Sequence, residues 1–371
     1  MFHMIFRYCL FSNCMHYNCH NALGRRRRPI RQEEAKVCNL LPGARKIVQM
    51  CMAVQPGERL LIVTDSGISP RIAQALAEAG RQAGASVTVL TTAPLQHPGD
   101  APPPEVATAM LEADVILAPT SRTLYHSGAA LAACGNGARL LALTELTEDA
   151  MCVGGIEADF AALQPRVERV RAAFEVGRRV RVTAPGGTDL TLSIAERQPH
   201  VCSGLCRLPG QRMGFPDVEV FIAPIEAETC GILVIDASAT GIGLMDAPVR
   251  ITVEKGVATA IEGGQKAAEI REILARTEDK SARYCCGASS RPAKRARTVA
   301  EFALGLNDCA RVIGNIIEDE GTYGTGHFAL GNNIFFGGKN PAPIHFDMVY
   351  WKPTVEIDGA ILMRNGALSE P

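Results

Sequence analysis

From residue 57 onward, short apolar runs alternate with segments of helical period. Gly57-Glu58-Arg59 leads into LLIVTD, a compact run of the kind found in buried parallel strands, and Ser69-Pro70 opens the helical stretch RIAQALAEAGRQAG. SVTVL, a proline-rich loop, the helix EVATAMLEA, the strand DVILAPT, a helix of small residues and RLLALT follow in turn. Apolar strands alternating with helices predict βαβ units around a parallel sheet. The first part of the chain, residues 38–176, therefore reads as an open α/β domain of flavodoxin-like or Rossmann-like type, ending with the long helix FAALQPRVERVRAAFEVG.

The texture then changes. RRVRVTAP and LTLSI flank Gly186-Gly187 and predict a β-hairpin. VEVFIAP, TCGILVID, APVRITVEKG and VATAIEGG are further short strands, followed by the helix QKAAEIREILART. The chain closes on HFDMVYWKPTVEIDGAILMRNG, a strand pair turning near Asp358-Gly359. Residues 177–371 are thus expected to form a mixed α+β domain, and the fold class is α/β: an N-terminal open parallel-sheet domain plus a C-terminal mixed α+β metal-binding domain.

Two stretches break the pattern. Residues 1–37 carry three cysteines, three histidines and the run Arg25-Arg26-Arg27-Arg28. The basic residues follow the apolar ones, the reverse of a signal peptide, so this stretch reads as a disordered extension or a mis-assigned start. ARYCCGASSRPAKRAR, residues 282–297, interrupts a helical pattern with small and basic residues and reads as an exposed insertion.

Composition narrows the class. A chain of 371 residues suits about two domains, and 47% hydrophobic with 21% charged residues describes a globular protein with a large core. The formal net charge of −1 provides no global field for nucleic acid or a membrane surface, and no stretch of about 18 uncharged apolar residues is present. The thirteen cysteines lie mostly in apolar segments (Cys51, Cys134, Cys230, Cys309), as expected of reduced, buried thiols in the cytoplasm. Cys202-x3-Cys206 and Cys285-Cys286 have no second pair that would complete a four-cysteine zinc site.

The chemistry gathers in the last quarter. Glu301, Glu318, Asp319, Glu320, His327, His345 and Asp347 occupy one block, with two of the eight histidines in glycine- and asparagine-rich stretches. On a strand, residues i and i+2 share a face, so His345 and Asp347 can grip one cation together. Imidazole with carboxylates suits Zn, Co, Mn or Fe(II); a polar strand face with a satisfied loop histidine is the competing reading. Glu219, in PDVEVF beside an apolar run, joins the set. In the first domain, the loop Pro119–Ser127 leaves the carboxyl end of a strand, where Arg122 and His126 could meet a substrate carboxylate. Neither GxGxxG after the first strand nor GxxxxGK[ST] occurs, so nucleotide binding has no support.

The stretches FPDVEVFIAPIE, AEFALGLN, GNIIEDEGTYGTGHFALG and GGKNPAPIHFD resemble the aminopeptidase T family of metallopeptidases and relatives described as leucyl aminopeptidases, over about residues 38–371 without the insertion. In that family two glutamates, histidines and an aspartate hold two metal ions. The resemblance implies Glu219 and Glu301 as the glutamates, His327 before Ala-x-Gly, and His345 and Asp347 as the final His-x-Asp. The chain departs from the peptidases in being shorter and in carrying Asn332–Phe336 where they have a tyrosine. It is also similar to the 2,5-dihydroxypyridine 5,6-dioxygenases, which use one Fe(II) on the same fold, with a histidine where this chain has Glu301.

Glu301 ranks a metal-dependent aminopeptidase first, acting on small peptides or amides with Zn, Co or Mn. His345, Asp347 and Glu301 would be primary ligands, and Glu219 and His327 would complete a second ion. The alternatives are an Fe(II) ring-cleaving dioxygenase and a non-catalytic metal-binding relative. Glu318 or Glu320 could serve as general base, and Glu226 could hold the substrate amine. The resemblance further implies a homodimer enclosing the sites; the aromatic strand end Met348-Tyr350-Trp351 offers surface either for that partner or for the core.

Overall fold

The computed structural model describes residues 38–97, 99–284 and 295–370, and the side chains of 279–284 are outside that description. Residues 1–37 and most of the expected insertion, residues 285–294, therefore lie outside the described residues.

Five parallel strands form the first sheet. They are β1 (Arg59–Asp65), β2 (Ser86–Thr92), β3 (Val115–Ala118), β4 (Arg139–Ala142) and, from further along the chain, β8 (Arg212–Gly214), in the order β2-β1-β3-β4-β8. Parallel strands need long crossovers, and helices supply them. These are α2 (Pro70–Gln82), α3 (Pro104–Glu112) and α4 (Gly128–Gly135), preceded by a short α1 (Leu41–Arg45) that runs on into a π-helical turn, Lys46–Cys51. The run LLIVTD is buried on both faces, as its unbroken apolarity requires. Leu60 and Ile62 point into the main core, while Leu61 and Val63 pack with Val106, Met110, Ile116 and Leu140 under α3 and α4. Gly80 of α2 makes the helix contact close: a Cβ there would meet Leu60 Cδ2 at 2.4 Å.

Helix α5 (Phe160–Val176), capped by the Asp159 carboxylate on the amides of Ala161 and Ala162, leads to two antiparallel sheets. One has eight strands: β5 (Arg179–Thr183), β6 (Asp189–Ser193), β10 (Cys230–Ile235), β13 (Val249–Glu254), β14 (Val257–Glu262), β18 (Thr354–Ile357), β19 (Ala360–Arg364) and β20 (Ala367–Leu368). The other has seven: β7 (His200–Ser203), β9 (Val218–Ile222), β11 (Ser238–Ala239), β12 (Gly243–Leu244), β15 (Val299–Gly305), β16 (Thr325–Gly331) and β17 (His345–Trp351). Both expected hairpins form. β5 and β6 close at Gly187 (φ +106°), and β18 and β19 close through Asp358 and Gly359, both with positive φ. Helix α6 (Gln265–Tyr284) and the four-residue α7 (Ile316–Asp319) complete the set. Where the chain re-enters the described residues, Ala296 is buried and Arg297 pairs with Glu278 at 2.7 Å.

Period 2 explains what the seven-stranded sheet does. Val220, Ile222, Phe302, Leu304, Phe328, Leu330, Phe346, Met348 and Tyr350 point into the main core. Phe174, Phe302, Phe328 and Tyr350 stack along it with centroids 5.1–5.9 Å apart. Met348 and Tyr350 are thus core residues, and only Trp351 of that strand end is exposed. The alternate residues face the other way and make the site.

Cys38 and Cys152 form a disulfide, and of the four cysteines read as reduced and buried, Cys51 and Cys134 are buried free thiols, Cys309 is a half-buried free thiol and Cys230 is free but exposed. A sequence reading has no access to this pairing, because 114 residues separate the two. Closing so long a loop removes chain entropy worth up to about 4–5 kcal/mol from the unfolded state. Reduction of this bond is accordingly expected to lower the thermal midpoint by several degrees, with peptide mapping under non-reducing conditions confirming the linked pair. Among the described residues no helix is long and apolar enough to cross a membrane.

Candidate metal centre

Four adjacent strands of the seven-stranded sheet, β9, β15, β16 and β17, carry the five residues expected as ligands. Their register places Glu301 opposite Ala329, which is itself opposite Asp347. Ala303 pairs with His327, Gly331 with His345, and Gly305 with Glu219. Directly paired residues share a face. Glu219, Glu301, His327, His345 and Asp347 therefore project from one side, separated by Ala303, Gly305, Ala329 and Gly331. These small residues leave the polar side chains room to converge.

They do converge. His345 Nε2 lies 3.0 Å from Glu301 Oε2 and 3.1 Å from Asp347 Oδ1. His327 Nε2 lies 3.4 Å from Glu301 Oε1 and 3.2 Å from Glu219 Oε2. Glu301 thus gives one oxygen to each imidazole. Two groups, Glu301–His345–Asp347 and Glu219–Glu301–His327, each bring ligand atoms within 4.8 Å of one another and share that carboxylate. Asn332 O meets His345 Nδ1 at 2.8 Å, which fixes that ring and leaves Nε2 for a ligand. Glu219, Glu301 and His327 are 5%, 4% and 1% exposed.

Burial sets the electrostatics. It pushes Glu219 well above the usual carboxylate range, with the carboxylates of Asp217, Glu320 and Glu301 adding to the shift. Asp217 rises to about 7 for the same reason, partly offset by His327. Burial would raise Glu301 too, but its bonds to His327 and His345 prevail and hold it down to about 2. Burial would lower both histidines, yet the carboxylates keep His327 raised and His345 well above its ordinary value. Without a cation, protons must neutralise this cluster. The donor set fits a divalent ion: imidazole nitrogens with carboxylate oxygens, and a buried His327 Nδ1 that lacks a hydrogen-bond partner.

The surroundings are aromatic. Phe336 sits edge-on to His345 at 5.7 Å and to Phe221 at 5.5 Å, and Phe221 stacks on His200 at 5.4 Å. His126 stacks on Phe335 at 5.2 Å, and burial with the nearby His345 and Arg212 charges holds its pKa below the histidine range. Its loop is pinned by Arg212, which donates to Tyr125 O at 2.6 Å. The strand-end loop singled out in the sequence thus brings His126 to the centre, but Arg122 pairs with Glu145 instead. Glu226 is not free for a substrate amine. Arg197, Asn333 and the Lys339 amide occupy it, and they brace the turn that carries Phe335 and Phe336. His200 was not singled out in the sequence, and Phe336 stood there only within Asn332–Phe336; the pairing of His200 with Phe221 on β7 and β9 brings it to the site.

A parallel α/β sheet beside antiparallel sheets, with a His/carboxylate cluster on the central strands, defines a class of metal-binding enzyme. The chain belongs to the 2,5-dihydroxypyridine 5,6-dioxygenase (NicX) family, whose model matches residues 39–370. A search of curated proteins found no match. Among solved structures, 2,5-dihydroxypyridine dioxygenase from Pseudomonas putida superposes with a TM-score of 0.74 at 19% identity, covering 90% of this chain and 97% of that one. Wild-type AmpT from Thermus thermophilus superposes with a TM-score of 0.62 at 18% identity, covering 89% of this chain and 99% of that one. At such identities these two likenesses establish the fold, which is that anticipated from the sequence.

Proposed function

We propose that the protein is a metal-dependent dioxygenase that opens a dihydroxylated, nitrogen-containing aromatic ring. Family membership across residues 39–370 supports this, and so reverses the order in which the sequence ranked hydrolase and oxygenase. The observation that carries the reading is the aromatic wall of Phe221, Phe336, His200 and Phe335 beside the Glu301–His345–Asp347 group. Such a wall suits a flat ring, which stacks on or packs edge-on to aromatic faces. Glu301, His345 and Asp347 would hold Fe(II), which when bound supplies the redox chemistry that dioxygen requires. His126, held neutral by burial, would accept a hydrogen bond from a ring hydroxyl and orient it. Phe336 and Phe221 would orient the ring and keep water from it.

One observation favours a second reading. Glu301 faces both imidazoles, as a carboxylate bridging two ions does, and a two-ion centre suits hydrolysis of amides or small peptides with Zn, Co or Mn. One paired assay separates the two. Protein loaded anaerobically with Fe(II) is expected to consume oxygen with 2,5-dihydroxypyridine and to leave amino-acid amides intact when loaded with Zn, Co or Mn. Amide cleavage without oxygen uptake would sink the first reading and establish the second. A homodimer, implied by the peptidase resemblance, is carried forward as part of this proposal, to be read by sedimentation.

A further inference from the structure

Part of the aromatic wall rides on a turn with little core of its own. Between β16 and β17 the chain makes one short helical turn, Ile334–Phe336, in which Phe336 is buried while Ile334 and Phe335 are 48% and 50% exposed. The fully buried Asn333 closes it. Its carbonyl accepts from Gly338 N and its Oδ1 from Asn340 N, both at 2.8 Å. Gly338 has to be glycine, since a Cβ there would lie 1.9 Å from Asn333 Cγ. These bonds set the shape of the turn but not its place against the sheet, and a surface segment is mobile unless tied down.

A charged pair ties it. Arg197 comes from the connection between β6 and β7, Glu226 from that between β9 and β10. Glu226 Oε2 accepts from Arg197 Nη2 at 2.7 Å, and its Oε1 accepts from Asn333 Nδ2 at 3.2 Å and from Lys339 N at 2.5 Å. Arg197 Nη1 donates to Gly337 O. The turn is thus gripped at Asn333, Gly337 and Lys339. The grip is itself fixed: Ile225 N donates to Ser193 O at 2.8 Å, and Gly256 packs so closely that a Cβ would lie 1.5 Å from Glu226 O. Arg197 is 8% exposed, and a pair so buried contributes little net stability over apolar packing. What it does supply is one fixed arrangement. Asn332 is held separately, by Ile344 O and Ala342 O, so the bond from its carbonyl to His345 does not depend on the pair.

We propose that Arg197 and Glu226 are positioning residues for a flat ring substrate: they seat the Asn333–Lys339 turn so that Phe336 presents a fixed face to the ring, and they act through Phe336 rather than on the ring itself. The inference rests on the ring-opening reading of the site. It gives the pair a role in substrate affinity that is separate from metal binding. Phe336 stands edge-on to Phe221 at 5.5 Å and to His345 at 5.7 Å, so a shift of the turn changes the space between the wall and the centre. Aromatic contacts depend on such geometry, which a loosened turn would not keep.

Calorimetric titration of anaerobic, Fe(II)-loaded protein with 2,5-dihydroxypyridine tests this, alongside hydrogen exchange of the turn. Glu226→Ala is expected to bind the pyridine about tenfold more weakly with unchanged iron content, and to raise KM more than it lowers kcat. Glu226→Gln still accepts from Asn333 and Lys339 and is expected to recover most of that loss. Phe336→Ala should weaken binding by a similar factor, and adding Glu226→Ala to it should cost nothing further, because the two changes remove one contact. Additive losses, or wild-type affinity in Glu226→Ala, would overturn the proposal. Exchange protection in Glu226→Ala is expected to fall within residues 333–340 and to hold elsewhere. A wild type that binds no pyridine would sink the ring-opening reading; confined loss of protection would then still uphold the pair as the tie of the turn, and unchanged protection would overturn that as well. Should Glu226→Ala not fold, Arg197→Lys, which cannot keep both forked bonds, takes its place in the cycle with Phe336→Ala.

Discussion

Glu301→Gln is expected to lower metal affinity by more than about a hundredfold and to abolish turnover, while the fold persists. The expectation follows from the position of Glu301 between two imidazoles. Its two oxygens face His327 and His345, so one substitution strips a charged donor from both ligand groups at once. Losing even an outer partner of a metal ligand costs about 10–100-fold in affinity, and a shared inner carboxylate is worth more. Glutamine keeps the volume in a site that is 4% exposed, so no cavity opens. Metal analysis and circular dichroism on the same sample read the two halves of the expectation. Retained metal with lost activity would move Glu301 from ligand to proton carrier.

The parts of this molecule that were legible in advance are those where a period writes the answer. LLIVTD and DVILAPT announce parallel strands because burial on both faces leaves no polar alternation, and both hairpins follow from glycine at turns that need positive φ. The five candidate ligands could be picked out through His-x-Asp on β17 and through family motifs, and their convergence depends on a sheet register that places Glu301, Ala329 and Asp347 in one row. What stayed hidden depends on distant pairing. Glu226 looked available for a substrate amine until Arg197, Asn333 and Lys339 were folded around it. The family match favours the alternative over the reading the sequence put first, for a related reason. Hydrolase and oxygenase share the strand scaffold, and the aromatic wall that favours a ring substrate is assembled from loops and strands far apart in sequence.

Removing the metal is expected to reverse the sign of the protein's pH dependence. In the metal-free protein Asp217 is raised from 3.8 to about 7, Glu219 and Glu320 are raised well above 4.5, and His327 and His345 are raised above 6.5. Each of these groups holds its proton to higher pH in the folded chain than in the unfolded one. The folded state therefore binds more protons from about pH 4 to beyond pH 7, and stability falls as pH rises through that window. Glu301, lowered to about 2, has the opposite sign, but its window closes near pH 4.5. His126, lowered from 6.5, opposes the trend only below that value. A bound divalent ion displaces those protons, and its affinity grows with pH because its ligands must be deprotonated. At a thousandfold excess over the dissociation constant, binding adds about 4 kcal/mol, or on the order of 5–10 °C in thermal midpoint. The chelated protein should therefore melt higher at pH 5 than at pH 8, and the gap opened by added Mn(II) or Fe(II) should be small at pH 5 and reach that size at pH 8. Parallel melting curves with and without metal across this range would refute the assignment of the cluster as a cation site.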